Sequence, residues 1–294
     1  MRSRRHDRGR ARRRAGLRGP PGRRTYIYGC VPPCRSDTAG GPTDHLPRRA
    51  LVYEHAGRGG EILARALTWL VALVVVGCSS VSDSRGLPAD RRASVVYVAL
   101  GDSTVEGVGA TSKDRNYVSR LLSRLRKLYP NARVVNLGIG GATSADVLAG
   151  QLDPAIEIKP DLVTLSIGPN DITQGVSVES YEHNVEAILR RLNDKTRAVI
   201  VVNLLPDLAV TPRFRGRPQE ATVGRLTMRF NDALRRQATA IGAEVVDLYE
   251  VSREEVPRRP ELVGSDGYHP SDVGYERWAE LMWQGIERRI RHGG

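Results

Sequence analysis

Ser103 stands in Leu100-Gly-Asp-Ser103, directly after the apolar run Val95–Leu100. Far along the chain, Asp266-Gly-Tyr-His269-Pro270 sets an acid three residues before a histidine. A hydroxyl, an imidazole and a carboxylate form the set that activates serine for acyl transfer. The three-residue spacing lets the carboxylate reach Nδ1, fix the tautomer and turn Nε2 towards the serine. A plainer alternative for Asp266–Pro270 is a turn leading into a helix capped by Asp272. Beyond Cys78 the chain offers two other histidines. His183 falls in a helical stretch, where a solvated or core-capping role fits, and His292 lies in the C-terminal fringe.

Acyl transfer also needs donors for the developing oxyanion. Gly138-Ile-Gly140-Gly141 can bring bare backbone close to a ligand, and Asn170 in Gly168-Pro-Asn-Asp171 offers a side-chain amide. Read separately, the glycines make a strand-to-helix turn and Asn170 is a polar turn residue. A dinucleotide site is a poorer reading of the glycines. Thr143 stands where that fingerprint wants Gly or Ala, and the loop follows the second strand rather than the first. No phosphate-binding G-x-x-x-x-G-K-[ST] occurs, nor H-E-x-x-H or any close cluster of metal-ligating side chains. No metal or cofactor is expected.

The elements that must position these residues are legible in the alternation of the chain. Short β-branched runs occur at Ser94–Leu100, Arg133–Asn136, Leu162–Ile167, Ala198–Leu204 and Glu244–Leu248. Amphipathic stretches separate and follow them: Tyr117–Leu128, Ser144–Leu152, Tyr181–Leu192, Val223–Ala240 and Asp272–Arg291. Strands that are apolar throughout, alternating with helices, imply an α/β domain whose parallel sheet is covered on both faces. In such a sheet ligands bind beyond the carboxyl ends of the strands. Ser103, Gly141, Asn170 and the Asp266–His269 loop all fall on that edge. The long segment Asp207–Gly224, with Arg213, Arg215 and Arg217, reads first as a solvated loop. Its other reading is a flap over the site that favours anionic substrates.

The blocks resemble those of the SGNH hydrolases, the GDSL-type esterases and lipases. Gly101-Asp102-Ser103 is similar to the family's first block, Asn136–Gly141 to the second, Gly168–Asp171 to the third and Asp266–Pro270 to the last. The resemblance runs from about Ala93 to Arg291. It implies a three-layer α/β/α sandwich with a mainly parallel, flavodoxin-like five-stranded sheet. It also implies Ser103 as nucleophile, His269 as base and Asp266 as its partner. The Ser103 N–H, the Gly141 N–H and Asn170 become the oxyanion donors. Thr104 departs from the leucine often found there. The G-x-S-x-G elbow of another hydrolase class is absent, as it is from this family. The rival from a different class is a surface-anchored binding module that keeps the fold without turnover.

The rest of the chain bears on location. Residues 1–60 hold fifteen arginines and four acids, a net of +11 out of +12 for the whole, so the remainder is nearly neutral. The basic balance therefore belongs to the tail, and nucleic acid is not an expected partner. The tail lacks apolar periodicity and is expected to be disordered, as a basic arm or as the product of a gene start placed too far upstream. Residues 61–78 follow, with twelve uncharged residues, Ala66–Gly77, behind Arg58 and Arg65. That length fits a signal-peptide core better than a membrane span. Val75-Val-Gly-Cys78 resembles a bacterial lipobox, so Cys78 is the expected lipidation site and 79–92 a tether. Cys30, Cys34 and Cys78 all precede the domain at 93–292, which therefore has no disulfide. The expectation is an exported monomer, held on the outer face of the membrane by a lipid or released, acting on a small-molecule or envelope ester.

Overall fold

The computed structural model describes residues 85–291, which fall within the unit Leu73–Gly294. The arginine-rich tail, the apolar run with Cys78, residues 79–84 of the expected tether and His292 lie outside the described residues. Five strands form one sheet: β1 (Val96–Gly101), β2 (Arg133–Asn136), β3 (Leu162–Ser166), β4 (Val199–Asn203) and β5 (Glu244–Val246). Every neighbouring pair is parallel, in the order β2-β1-β3-β4-β5. The helices are α1 (Ser103–Glu106), α2 (Tyr117–Leu128), α3 (Ser144–Asp146), α4 (Leu152–Glu157), α5 (Pro169–Thr173), α6 (Val178–Lys195), α7 (Glu220–Ala240), α8 (Leu248–Glu255) and α9 (Asp272–Arg291). Among the described residues, no helix is long and apolar enough to cross a membrane.

The two-residue period of a strand explains the three layers. Val98, Leu100, Val163 and Leu165 pack on one side against Leu152, Tyr181, Ile188, Phe230 and Leu234 of α4, α6 and α7. Tyr97, Ala99, Leu162 and Val201 face the other side, towards Leu121 and Leu125 of α2 and Ala279, Met282 and Ile286 of α9. Each large apolar side chain buried this way contributes about 1.5–3 kcal/mol. The central strands therefore read as unbroken apolar runs.

Local chemistry sets the helix starts. Asn116 caps α2 by accepting from the Ser119 N–H at 2.8 Å. Thr143 and Asp146 make a reciprocal capping box on α3. A π-turn, Val147–Gln151, then joins α3 to α4, so the expected helix from Ser144 runs on to Glu157.

Three expectations change. β5 stops at Val246, because Asp247 accepts from the Glu250 N–H at 3.1 Å and caps α8, a helix the strand reading absorbed. The cap of α9 is Ser271, whose Oγ accepts from the Gly274 N–H at 3.2 Å. Asp272 instead turns outward and binds the Thr111 N–H at 2.9 Å and hydroxyl at 2.6 Å, and Arg115 at 3.1 Å. Finally, Asp207–Gly224 is more than a solvated loop. It holds a 3-10 turn at Leu208–Val210 and the first turn of α7. Phe214 packs against the core from its middle, and the Arg213 N–H donates to Gly267 O at 2.9 Å.

Candidate active site

The sheet order reverses direction between β1 and β3, which opens a crevice at their carboxyl ends. Ser103 enters it as the first residue of α1. Asp102 caps that short helix, its Oδ1 accepting from the Thr104 N–H and hydroxyl, both at 2.9 Å. One residue earlier, the side-chain amide of Gln151 grips both polar groups of the Gly101 backbone, at 2.8 and 2.9 Å. The π-turn carries Gln151 to that position. The strand that leads to Ser103 is thus tied to the helical layer.

His269 bridges the two ends of the described chain. Its Nε2 lies 2.8 Å from Ser103 Oγ, and its Nδ1 lies 2.5 Å from Asp266 Oδ2. A carboxylate can only accept, so Nδ1 carries the proton and Nε2 is left to accept from the serine hydroxyl. Asp266 Oδ1 accepts from the N–H groups of Tyr268 at 2.9 Å and His269 at 3.0 Å. Partial burial opposes its ionisation, but the bonds from the His269 ring and the two backbone N–H groups outweigh burial. The Asp266 carboxyl is held below its usual range.

The loop following α1 fixes the histidine from the other side. The Tyr275 hydroxyl donates to Val108 O at 2.6 Å. Gly109, at φ +93°, leaves room that a Cβ would take, 2.5 Å from Pro270 O.

The glycine loop and Asn170 complete the crevice. The N–H of Ser103 starts a helix and that of Gly141 lies in a turn, and neither donates to another backbone group of the described residues. Gly141 has φ +82° and open space above its Cα. Asn170 Nδ2 gives one N–H to Ala142 O at 2.9 Å, which orients the amide and leaves its second N–H. Asp171 locks the two loops together. Its carboxylate accepts from the Ser144 N–H at 3.0 and 3.1 Å and from the Ser144 hydroxyl at 2.6 Å.

Of the residues singled out from the sequence, Ser103, His269 and Asp266 are joined by hydrogen bonds, and Asn170 and Gly141 stand in two neighbouring loops linked through Ala142 O and Gly141 O. His183 is exposed on α6, away from the crevice. The positioning roles of Gln151, Asp171 and Tyr275 had no readable signal. A glutamine eight residues past a capping threonine has no special meaning until a π-turn aims it. Among the described residues, no group of three or more His, Cys, Asp or Glu side chains is arranged to hold a metal.

Beside Ser103 and His269 opens a cleft that, with the solvent at its mouth, encloses about 830 Å³. Its walls are chiefly apolar, with Pro206, Leu208, Leu248, Val251, Leu262 and Trp278 among them. Glu255 and Arg277 also line it, joined to each other at 2.7 Å.

Asp102 is 1% exposed, and its Oδ2 has no partner. Burial pushes its carboxyl from 3.8 up to about 6, against the opposing pull of the Thr104 bonds. Between those values the native state holds a proton that the unfolded chain has lost. This group's contribution is therefore most favourable below about pH 4 and falls as pH rises, levelling off above about pH 6 at a cost of about 3 kcal/mol. Asp102→Asn keeps the cap acceptor and removes the charge. Urea unfolding is expected to show the variant gaining stability over wild type at about pH 7 but not at about pH 4. An equal difference at both pH values would refute the assignment.

Comparison with known proteins agrees with this architecture. A match to the GDSL-like lipase/acylhydrolase family runs over residues 99–277. Esterase TesA of Pseudomonas aeruginosa is 27% identical over 213 residues, spanning 72% of this chain and 96% of that protein. An acetylxylan esterase of Geobacillus stearothermophilus is 26% identical over 185 residues, spanning 60% and 83%. The crystal structure of Axe2, an acetylxylan esterase from Geobacillus stearothermophilus, superposes with a TM-score of 0.53 at 22% identity, covering 67% of this chain and 96% of that one. That likeness speaks to the fold: a three-layer α/β/α sandwich. With a family match over more than half its length, the chain belongs to the GDSL-like lipase/acylhydrolase family and is a hydrolase of carboxylic esters.

Proposed function

We propose that the protein cleaves carboxylic esters through an acyl-enzyme on Ser103. The observation that carries this reading is the His269 bridge, 2.8 Å from Ser103 Oγ and 2.5 Å from Asp266. Ser103 Oγ bonds to the ester carbonyl carbon as its proton passes to His269 Nε2, and the carbonyl electrons collect on oxygen. Asp266 remains ionised and stabilises the imidazolium across Nδ1. The tetrahedral centre then collapses, and the alcohol leaves with the proton from Nε2. Water repeats the sequence and releases the acid.

The oxyanion is held by the Ser103 N–H, the Gly141 N–H and the free N–H of Asn170. Preorganised donors of this kind supply much of the rate acceleration, because they need no reorientation as charge develops. Removing one side-chain donor typically costs 10²–10³-fold in kcat. Asn170→Ala is therefore expected to lower kcat about 10²-fold or more, with KM changed much less. The variant should still be labelled at Ser103 by a fluorophosphonate probe, which needs an activated serine. A kcat within threefold of wild type (about 0.6 kcal/mol) would remove Asn170 from the oxyanion site.

A further inference from the structure

Arg213, Arg215 and Arg217 lie within five residues of one another between β4 and α7, and all three are exposed. None has a carboxylate within ion-pair distance among the described residues. Elsewhere around the cleft, Arg277 is held by Glu255 and Glu280, Arg259 by Glu255 and Glu261, and Arg253 by Asp207 and Glu250. The acid nearest the loop in sequence, Glu220, accepts the Gly216 N–H at 2.5 Å. Three arginines thus stand uncompensated at one place.

That place is beside the reacting residues. The Arg213 N–H is bonded to Gly267 O, in the turn that carries Asp266 and His269. The Arg213 guanidinium sits 4.9 Å over the Tyr268 ring, and that ring meets the His269 ring edge-on at 5.1 Å. Phe214 meets Tyr268 edge-on at 6.1 Å and holds the loop down. Thr211, two residues before Arg213, and Tyr268 both line the apolar cleft. The Debye length is about 8–10 Å at ordinary salt, so positive charge here is felt by a group bound at Ser103.

The two halves of an ester therefore meet different surroundings. The cleft offers apolar walls, and its one arginine, Arg277, is committed to carboxylates. The uncharged acyl part fits there. An ester whose acyl part fills the cleft leaves its alcohol part to the outer surface, where the cations are. We infer that the Arg213–Arg217 loop recognises an anionic group, phosphate or carboxylate, on the alcohol portion of the ester. Guanidinium suits either oxyanion, since its planar fork makes two parallel bonds, and stacking on Tyr268 pre-orients Arg213. The inference rests on the esterase reading above.

The test compares three substrates of equal acyl length on the full chain: phenyl octanoate, para-carboxyphenyl octanoate and the corresponding aryl phosphate ester. The readout is the ratio of kcat/KM for each anionic ester to that for the neutral one, which isolates recognition of the charge. The triple variant Arg213→Gln, Arg215→Gln, Arg217→Gln is expected to lower that ratio about tenfold, chiefly through KM. Each exposed ion pair contributes up to a few-fold in binding, which sets this scale for three of them. Wild type in about 1 M sodium chloride should lose the same preference as the Debye length falls to about 3 Å. The pair Arg215→Gln, Arg217→Gln, which leaves the Tyr268 stack intact, should give a smaller fall in the same direction.

The two anionic substrates report which oxyanion is preferred, and a preference for either supports the proposal. A ratio unmoved by salt and by both variants, with phenyl octanoate still hydrolysed, overturns the proposal and leaves the esterase reading standing. Failure to hydrolyse any of the three removes both. An effect of the arginines seen only on phosphatidylglycerol vesicles, and not on soluble esters, would assign the loop to a membrane surface and overturn the proposal as well.

Discussion

Ser103→Ala is expected to abolish ester hydrolysis, lowering kcat by about 10⁵-fold or more, while the thermal unfolding midpoint stays within a few degrees of wild type. Nucleophile and base act as one unit, so removing either forfeits nearly all of the covalent route, and what persists comes from binding and oxyanion donors alone. The fold should tolerate the change. Ser103 begins α1, but the helix is capped by Asp102 through Oδ1, not by the serine hydroxyl. The hydroxyl's partner is His269 Nε2, and His269 keeps its bond to Asp266 in the variant. The discriminating measurement is hydrolysis of phenyl octanoate by wild type and variant, alongside fluorophosphonate labelling followed by mass determination. Label retained in the variant, or activity within a hundredfold of wild type (about 2.7 kcal/mol), would mean that another residue is the nucleophile.

Gly101→Ala is expected to have the largest effect on stability. Gly101 has φ +146°, which L side chains rarely adopt, and a Cβ there would lie 1.9 Å from Ser166 O and 2.6 Å from Val105 Cγ2. The oxygen belongs to the backbone of β3, paired in register with Gly101. It cannot retreat without parting two central strands. Backbone strain and overpacking each cost about 1–3 kcal/mol at ordinary sites, so a loss of about 4 kcal/mol or more follows, from a total of about 5–15. A domain of this size should then melt about 10 °C lower or fail to accumulate. Gly141→Ala is the control. It carries positive φ but open space, so strain alone, about 1 kcal/mol, is expected there. Equal melting temperatures for the two variants would show that the clash at Gly101 is relieved by some other movement.

Some of this was legible because it is local. β2 and α2 have the bounds their patterns imply, since a β-branched run and a capped amphipathic stretch state their period within a dozen residues. The Asp247-x-x-Glu250 cap of α8 is equally local. It was hidden because Leu248 resumes the apolar pattern just past Asp247, and a strand ending there accounts for the same residues. Asp272 misled for a different reason. An acid at the head of a helix is a cap by spacing, but Ser271 is one residue better placed, and Thr111 and Arg115 claim the carboxylate from a loop about 160 residues away.

By itself, then, the sequence determined the alternation of strands and helices, apart from α8, and which loops hold Ser103, His269, Asp266 and Asn170. Alternation along the chain also put those loops on one edge of the sheet. Only the tertiary structure decided the order β2-β1-β3-β4-β5 and the grip of Gln151 on Gly101. It alone decided the clamp of Asp171 on Ser144, and the attachment of the Arg213 loop to the turn carrying His269. Period and capping depend on neighbours a few residues apart. A 2.8 Å contact between residues 166 positions apart depends on how every intervening layer packs, and no short-range pattern encodes it.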